Sequence, residues 1–393
     1  MSVNGDYDVT VIGAGIHGAG VAQAATARGY RTLVLEATAV AGATSSRSSK
    51  LIHGGLRYLE QAEFGLVREC LRERELLLKL APDLVRLRNF RIPVYRNTHR
   101  RPWQLRAGLS LYALLAGLST HSLFRTIPRQ RWNDLDGLDT RGLQAVFEYQ
   151  DGQTDDAALT RAVLRSAMTL GAELRMPARF LGAERTPDGM EIRYEQGGRQ
   201  ERCKSRVVVN AAGPWVSETV ARIHPQPPAV AVDLVRGTHL MLDIPARECI
   251  YYMEVPEDGR AVFLMPWRGV SLLGTTESPY DGADPGAVEP QQEEQQYLAR
   301  LMRRYFPGLG FKILDSFAGL RVLPRDNTRP FVRGRELILQ SDDAHRPRIL
   351  SLYGGKLTSY RADADKVLRR LVHALPQRTP IADTRRLPLT PVA

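Results

Sequence analysis

Cysteine is scarce in this sequence of 393 residues. The three cysteines, Cys70, Cys203 and Cys249, are odd in number and far apart, so they form neither a disulfide framework nor the paired spacing of a metal site. Such cysteine usage fits a reducing compartment, and we expect a cytoplasmic protein without a bound metal. Hydrophobic residues make up 43% and charged residues 25% of the chain, which predicts a folded core and argues against disorder.

Long apolar runs are also missing. One apolar stretch, residues 107–118, has 12 residues, whereas a helix that spans a bilayer needs about 20. The first six residues are polar, with no basic region before an apolar run, so no secretory signal is predicted. These features favour neither export nor a membrane span.

Lysine is the third rarity. Only 6 of the 54 basic residues are lysine, which leaves 48 arginines, and the net charge is 54 minus 43, or +11. Arginine is always charged and binds phosphate or carboxylate through paired N–H donors. The balance favours an anionic partner, which could be a nucleic acid, an anionic membrane or a phosphorylated small molecule. Composition does not choose among these three classes.

The beginning of the chain has the pattern of a βαβ unit, which favours a parallel sheet. Residues 7–12 are rich in β-branched side chains and predict a buried strand, and residues 20–25 predict a helix that ends near Gly29. A second strand is predicted over 31–35. Further elements are predicted as helices over 64–80 and after Asp155, a β-meander over 173–209, an exposed Gln/Glu-rich helix over 289–305 and a strand over 349–352.

A glycine-rich turn joins the first strand to the first helix. Its sequence is Gly13-Ala14-Gly15-Ile16-His17-Gly18, and Glu36 closes the second strand. Absent side chains let a pyrophosphate approach the backbone, and the helix N-terminus supplies amide donors. A carboxylate at position 36 can accept both ribose hydroxyls and disfavours a 2′-phosphate. We predict dinucleotide binding, and the alternative is a glycine-rich turn in an ordinary βαβ unit.

Two further glycine elements lie far along the chain. Asn210-Ala211-Ala212-Gly213-Pro214-Trp215 follows a predicted strand, and Gly354-Gly355-Lys356-Leu357-Thr358 follows another and opens a helix. A nicotinamide enzyme usually completes its fold with alternating strands and helices, whereas this chain continues into a loop and a meander. Three separated elements suit a cofactor with two ends to hold, so FAD is favoured over NAD.

Residues 43–60 carry a resemblance that is more specific than the glycine turn. This segment, ATSSRSSKLIHGGLRYLE, resembles the signature of the FAD-dependent glycerol-3-phosphate dehydrogenases, which are D-amino-acid-oxidase-like flavoproteins. The resemblance covers roughly residues 5–375. Other motifs occur in the family's order, namely Asp155-Asp156-Ala157, residues 210–215, Arg236-Gly237-Thr238-His239, Met265-Pro266-Trp267, Gly274-Thr275-Thr276, Gly319-Leu320-Arg321 and residues 354–361.

The resemblance implies an α/β fold with α+β elements. It consists of a Rossmann-like FAD-binding domain with a parallel sheet and a β-meander, and an interleaved antiparallel-sheet substrate domain. We expect the FAD-binding domain at 1–88, 150–225 and 320–393, and the substrate-binding or cap domain at 89–149 and 226–319. Family members usually continue into a C-terminal helical domain, whereas 32 residues follow Arg361 here, so that domain is expected to be absent.

The resemblance also implies a reaction. This is the oxidation of sn-glycerol 3-phosphate to dihydroxyacetone phosphate by hydride transfer from C2 to flavin N5, with electrons passed to quinone. One alternative is a flavin oxidase that uses O₂ or acts on another hydroxy acid or amino acid. A remote alternative is a non-catalytic basic protein that binds anions. No nucleic-acid partner is expected, because the diagnostic cations sit beside glycine turns and not among aromatic residues.

The motifs imply catalytic and substrate-binding residues. Because a doubly charged phosphate needs several fixed cations, we expect substrate binding by Arg57, Tyr58, Arg321, Arg333, Lys356 and His53. The catalytic residues are expected to be Arg321, His239, Arg57 and Lys356. His239 and His53 are candidates for taking the proton of the C2 hydroxyl, since the pKa of imidazole suits that task. Lys356 could stabilise negative charge that develops on the flavin.

A larger set is expected to bind the cofactor. It comprises Gly13, Gly15, Ile16, Gly18, Glu36, Thr44, Ser45, Ser48, Lys50, Leu51, His53, Gly54, Gly55, Ala212, Gly213, Trp215, Gly319, Arg321, Gly355, Lys356, Leu357 and Thr358.

Basic and apolar residues surround the apolar stretch noted above. Residues 100–106 hold three arginines and Trp103 before it, and residues 125–131 hold three arginines after it. A basic-rimmed apolar helix can lie in a bilayer interface, or it can be a buried helix of the second lobe. With the quinone acceptor that the resemblance implies, we expect peripheral attachment to the inner face of the cytoplasmic membrane. We also expect a homodimer.

Overall fold

The computed structural model describes residues 3–325 and 336–392, so the predicted substrate residue Arg333 lies outside the described residues. The helices are α1 (Ile16–Ala27), α2 (Phe64–Leu80), α3 (Pro102–Leu115), α4 (Asp156–Thr169), α5 (Val216–Ala221), α6 (Gln292–Tyr305) and α7 (Tyr360–Leu371). The strands are β1 (Val3–Ile12), β2 (Thr32–Leu35), β3 (Leu51–Ile52), β4 (Val85–Tyr95), β5 (Arg125–Thr126), β6 (Leu143–Thr154), β7 (Glu173–Arg175), β8 (Arg179–Thr186), β9 (Gly189–Gln196), β10 (Arg199–Asn210), β11 (Ile223–His224), β12 (Val232–Leu242), β13 (Cys249–Glu254), β14 (Ala261–Trp267), β15 (Val270–Gly274), β16 (Ser278–Pro279), β17 (Ile313–Pro324), β18 (Ile338–Ser341) and β19 (Ile349–Tyr353).

The first sheet grows from the predicted βαβ unit. Its order is β11-β8-β9-β10-β1-β2-β7, and β19 pairs with the C-terminal end of β10 and with β18. β10, β1, β2 and β7 are parallel, whereas β8, β9 and β10 form an antiparallel meander. Helices α1, α4 and α7 cover one face of the parallel part, and the side chains of its other face pack in a separate core with β8 and β9, so its strands are apolar on both faces. The predicted Rossmann-like sheet with a meander is confirmed.

The second sheet is the predicted antiparallel one. Its order is β16-β12-β15-β14-β13-β4-β6-β3, with β17 added on β12 and β5 on β6. Every pair in the described part of this sheet is antiparallel except β4 with β13. Its strands come from both halves of the chain, so the two sheets interleave along the sequence. The exact domain boundaries given above stay a prediction.

Local signals set several helix ends. α2 has the predicted bounds, and the carboxylate of Asp155 caps α4 by accepting the N–H of Ala158 at 2.9 Å. The prediction for α6 was wrong in one respect. Leu298, Met302 and Tyr305 share one face of this helix and are buried, so α6 packs against the second sheet and is not simply exposed.

The third glycine element follows β19, and its last two residues form a turn with Ser359 before α7 begins at Tyr360. α3 occupies the apolar stretch that the sequence analysis singled out. Across residues 3–325 and 336–392, no helix has both the length and the apolar character that a bilayer span requires.

Candidate active site

A cavity of about 1110 Å³ lies at the carboxyl ends of β1, β2, β10 and β19. Ligands of open α/β sheets bind at this end, because the loops that follow parallel strands converge there. The walls include the loop after β1, the segment 42–53 and the two later glycine elements. The three glycine elements, which were expected to lie together, therefore line one cavity.

The first glycine turn is tight because its neighbours leave no room for side chains. Gly13 has a φ of +98°, and a Cβ there would lie 2.7 Å from the carbonyl oxygen of Ala211, at the end of β10. A Cβ on Gly18 would lie 2.0 Å from the carbonyl oxygen of Gly13. Gly13 and Gly15 line the cavity, whereas Gly18 allows the helix to pack against the turn.

Glu36 holds this turn in place. Its Oε2 accepts the N–H of Ala14 at 2.8 Å, and its Oε1 accepts the N–H of Thr38 at 2.9 Å. A carboxylate has about four acceptor sites, so Glu36 can accept further hydrogen bonds from a ligand in the cavity that it lines. Glu36 was predicted from the sequence as a site residue, whereas its contact with the turn was not.

The hydroxyl-rich segment 44–50 divides into two groups. Thr44 donates to the carbonyl oxygen of Leu320 at 2.7 Å, and the Ser45 hydroxyl accepts the N–H of Ile16 at 2.9 Å, so both face the cavity wall. Lys50 is buried and contacts the carboxylate of Asp156 at 2.7 Å. This ion pair ties the segment to the start of α4, and Lys50 does not line the cavity.

The segment from His53 to Tyr58 forms another part of the wall. The N–H of His53 donates to the Thr358 hydroxyl at 3.1 Å, and both residues line the cavity. The ammonium of Lys356 lies 3.3 Å from the centroid of the Tyr58 ring, and the Arg57 guanidinium carbon lies 5.3 Å from the same centroid. Tyr58 and Lys356 line the cavity, whereas Arg57 does not.

Arg321 enters the cavity from β17. Its Nη1 donates to Oε1 of Glu277 at 3.0 Å, and the Glu277 side chain is only 6% exposed. Gly237 lies beside it, and a Cβ there would be 3.0 Å from Nη2 of Arg321. The glycine and the carboxylate together fix where the guanidinium lies.

His239 lies behind the cavity wall. Its ring is 1% exposed, stacks on Phe317 with centroids 5.0 Å apart, and fills the space that a Cβ on Gly274 would need. Its Nε2 hydrogen-bonds the hydroxyl of Ser49 at 3.1 Å, and Ser49 lines the cavity. Burial, with the nearby charges of Arg321 and Lys50, lowers the pKa of His239 well below its usual value.

The pKa of His239 predicts a pH-dependent stability. Below about pH 6.5 the unfolded chain takes up a proton that folded His239 does not, so stability falls as pH falls. Relative to a His239→Asn variant, the wild type should lose up to roughly 1.4 kcal/mol of unfolding free energy per pH unit below that pH. Urea unfolding of both FAD-loaded proteins between pH 7 and 5 tests this, and parallel pH dependences would contradict it.

Most of the predicted site residues lie in one place. Those that line the cavity are Gly13, Gly15, Ile16, Glu36, Thr44, Ser45, Ser48, Leu51, His53, Tyr58, Ala212, Gly213, Trp215, Gly319, Arg321, Gly355, Lys356, Leu357 and Thr358. The others in the described part of the chain lie outside the lining, namely Gly18, Lys50, Gly54, Gly55, Arg57 and His239. The roles assigned to individual residues stay predictions.

Some lining residues were missed. Ser49 belongs to the hydroxyl-rich run, whose composition could have identified it. Residues 283–286 and Val288 also line the cavity, and Phe180 does so from β8. No local sequence signal marks these two, because their contribution depends on how the two sheets meet.

Comparison with known proteins agrees with this geometry. A family model for FAD dependent oxidoreductases matches residues 8–361. The chain belongs to the FAD dependent oxidoreductase family. It is 36% identical over 381 residues to D-erythritol 1-phosphate dehydrogenase of Brucella abortus (strain 2308), covering 94% of this chain and 74% of that protein. It is 36% identical over 373 residues to aerobic glycerol-3-phosphate dehydrogenase of Escherichia coli (strain K12), covering 93% and 73%.

A solved structure shares the fold. The glycerol-3-phosphate dehydrogenase of Bacillus halodurans, complexed with FAD, has a TM-score of 0.75 and 24% identity. The alignment covers 98% of this chain and 68% of that chain. The cofactor of this FAD dependent oxidoreductase is FAD, and the prediction of FAD over NAD is confirmed.

The cavity fits a large cofactor that several chain segments hold. The bare backbone at Gly13 and Gly15 faces the cavity at the start of α1. The third glycine element meets this turn, since Gly355 has a φ of +87° and a Cβ there would lie 2.4 Å from Nε2 of His17. Glycine at these positions leaves backbone amides open to a pyrophosphate.

Proposed function

We propose that this chain oxidises sn-glycerol 3-phosphate to dihydroxyacetone phosphate. The observation that carries the proposal is that Arg321 and Lys356, two of the five arginine and lysine residues in the lining, share the cavity with the glycine elements that suit FAD. A phosphate ester carries about −1.5 to −2 charges near pH 7 and binds such cations through charge-assisted hydrogen bonds. The names of two relatives at 36% identity, which are dehydrogenases of phosphorylated polyols, support this choice.

Different residues bind the substrate and accept its proton. Arg321, fixed by Glu277, and Lys356, held over the Tyr58 ring, bind the phosphate and orient the substrate. When bound, FAD supplies the acceptor for the hydride that leaves C2. Tyr58 lines the cavity and can donate a hydrogen bond to a substrate oxygen.

We assign the proton of the C2 hydroxyl to His53. This histidine lines the cavity, whereas His239 reaches it only through the hydroxyl of Ser49. Full burial beside Arg321 also opposes a positive charge on His239, as its lowered pKa indicates. His239 therefore fits a neutral hydrogen-bond partner of Ser49 better than it fits the proton acceptor.

Steady-state assays with an artificial electron-accepting dye test the substrate. We expect dye reduction and formation of dihydroxyacetone phosphate with glycerol 3-phosphate, and kcat/KM lower by at least about a hundredfold with glycerol, which lacks the phosphate. Equal rates with the two alcohols would contradict the proposal, because binding would then not depend on the cations.

D-Erythritol 1-phosphate is a second candidate substrate. The relative from Brucella abortus has this substrate in its name and matches 94% of the chain. Both compounds join a hydroxyl-bearing carbon to a phosphate ester, so the same cations serve both. The two values of kcat/KM, measured side by side in the dye assay, decide which substrate the site prefers.

The electron acceptor is proposed to be a quinone. The alternative is O₂, which would make the chain an oxidase. Measurement of hydrogen peroxide during turnover, against reduction of a soluble quinone, separates them. We expect quinone reduction with little peroxide, and stoichiometric peroxide would overturn the quinone proposal.

We also propose that α3 and the loop after it rest on an anionic membrane surface. Trp103 and Leu114 are 69% and 61% exposed, and they share a face because 11 residues are just over three helical turns. Leu118 and Leu123 are exposed just beyond the helix, and the exposed arginines of residues 101–131 complement anionic lipid headgroups.

Vesicle flotation tests this surface. On vesicles with one quarter anionic lipid, the double variant Trp103→Ser/Leu114→Ser should bind several-fold more weakly than the wild type, because apolar burial drives interfacial binding. Ile381→Ser is the control, since Ile381 is 59% exposed but lies outside this segment. Equal binding by all three proteins would refute the proposal.

A further inference from the structure

Helix α3 has a second face that points inward. Tyr112 follows Trp103 by nine residues, or two and a half turns, which places it on the opposite side of the helix. Tyr112 is 1% exposed and is buried with Leu109 and Ala113. The same helix that carries the exposed apolar surface thus inserts a phenol into the core.

The Tyr112 hydroxyl joins two buried groups. It accepts the N–H of Gly54 at 2.8 Å and donates to Oδ2 of Asp151 at 2.6 Å. Because an amide N–H can only donate, the phenol proton must point to the carboxylate, and the direction of both hydrogen bonds is fixed. The other oxygen of Asp151 accepts from Nη1 of the fully buried Arg74 at 2.7 Å.

Gly54 lies in the segment 53–58, which places His53 and Tyr58 in the cavity wall. His53 precedes it, and Gly55, with a φ of +79°, turns the chain into the short helical turn that carries Tyr58. Gly54 itself packs closely, since a Cβ there would lie 2.7 Å from the Tyr112 hydroxyl oxygen and 2.8 Å from Cγ of Leu71. The segment is therefore held from behind by α3 and α2.

We propose that Tyr112 is a positioning residue for the segment 53–58. By holding the Gly54 amide against the Asp151–Arg74 pair, it sets where His53 and Tyr58 meet the substrate. This inference rests on the proposed function, in which these two residues touch the substrate. Tyr112 itself does not line the cavity, so it acts only through Gly54.

Tyr112→Phe tests the proposal, with rates normalised to bound flavin so that unfolded protein does not count. An unsatisfied buried amide should let the segment shift, and kcat/KM for glycerol 3-phosphate should fall roughly tenfold per flavin. FAD affinity should fall by less than kcat/KM, because the turn at Gly13 and Gly15 is not touched. The control is Tyr194→Phe, since Tyr194 is fully buried in β9 and its hydroxyl has no hydrogen-bond partner in the described chain.

A double-mutant cycle tests whether Tyr112 acts on the segment 53–58 through Gly54. Gly54→Ala should displace the segment from the phenol and give a loss similar to that of Tyr112→Phe. If Tyr112 acts through Gly54, the double variant should be no worse than the more damaged single variant. Additive losses would overturn the proposal, because Tyr112 would then act elsewhere.

Hydrogen exchange supplies a readout that does not depend on substrate. In the FAD-loaded protein, peptides covering 51–60 should exchange faster in Tyr112→Phe than in the wild type, and Tyr194→Phe should match the wild type. Unchanged exchange, or per-flavin kinetics equal to the control, would refute the positioning role. Failure of the wild type to oxidise glycerol 3-phosphate, with exchange changed as expected, would instead refute the proposed substrate alone.

Discussion

Replacing Arg321 with alanine should lower kcat/KM for glycerol 3-phosphate by roughly a thousandfold while the protein stays yellow. Arg321 lines the cavity and is aimed by its 3.0 Å contact with Glu277. Loss of a charge-assisted, two-pronged contact with phosphate, in a site where water is partly excluded, costs about 4 kcal/mol, which corresponds to that factor. The kcat/KM of Arg321→Lys should lie between those of the wild type and Arg321→Ala, because lysine keeps the charge but not the planar pair of donors.

Arg325→Ala is the matched control for this substitution. Arg325 follows the same strand, but its side chain is 66% exposed and pairs with Asp233 outside the cavity. Exposed ion pairs contribute little, so the kinetics of this variant should stay within about twofold of the wild type. If Arg321→Ala behaves like Arg325→Ala, Arg321 does not bind the substrate.

Gly13→Ala should abolish retention of FAD during purification. The residue has a φ of +98°, and the added Cβ would lie 2.7 Å from a backbone oxygen at the end of β10. A strand end cannot move aside as a flexible side chain can, so the turn that faces the pyrophosphate must distort. We expect FAD affinity to fall by at least about a hundredfold, since the amide donors of the turn would no longer be aimed.

Gly171→Ala separates backbone strain from loss of the site. Gly171 has a φ of +103°, close to that of Gly13, but a Cβ there would have nothing within 4 Å. Both variants should lose about 1–2 kcal/mol of stability from the unfavourable φ. Flavin absorbance after purification and titration of FAD by fluorescence quenching should show a loss only in Gly13→Ala. Full flavin content in Gly13→Ala would contradict the role of the turn.

The part of the fold that the sequence predicted rests on local patterns. β-branched runs, the glycine turn and Asp155 as a helix cap act within a few residues, and the structure contains β1, α1 and α4 where these signals lie. The three glycine elements meet because each follows a parallel strand of one sheet, and strand ends share an edge.

The parts that sequence did not predict depend on distant partners. Lys50 was expected at the cofactor, but Asp156, 106 residues away, holds it in the core. His239 on β12 contacts Ser49 and Phe317, and these contacts place it behind the residues that line the cavity. The direction in which a strand residue points depends on the register of the whole second sheet, and no local pattern encodes that register.

Anaerobic titration of the purified, FAD-loaded protein with glycerol 3-phosphate tests the central claim most directly. We expect the visible flavin absorption band to bleach as substrate is added, and one molecule of dihydroxyacetone phosphate to form for each flavin that is reduced. A band that stays unchanged with glycerol 3-phosphate, yet bleaches with dithionite, would show that the flavin is competent and that the proposed substrate is wrong.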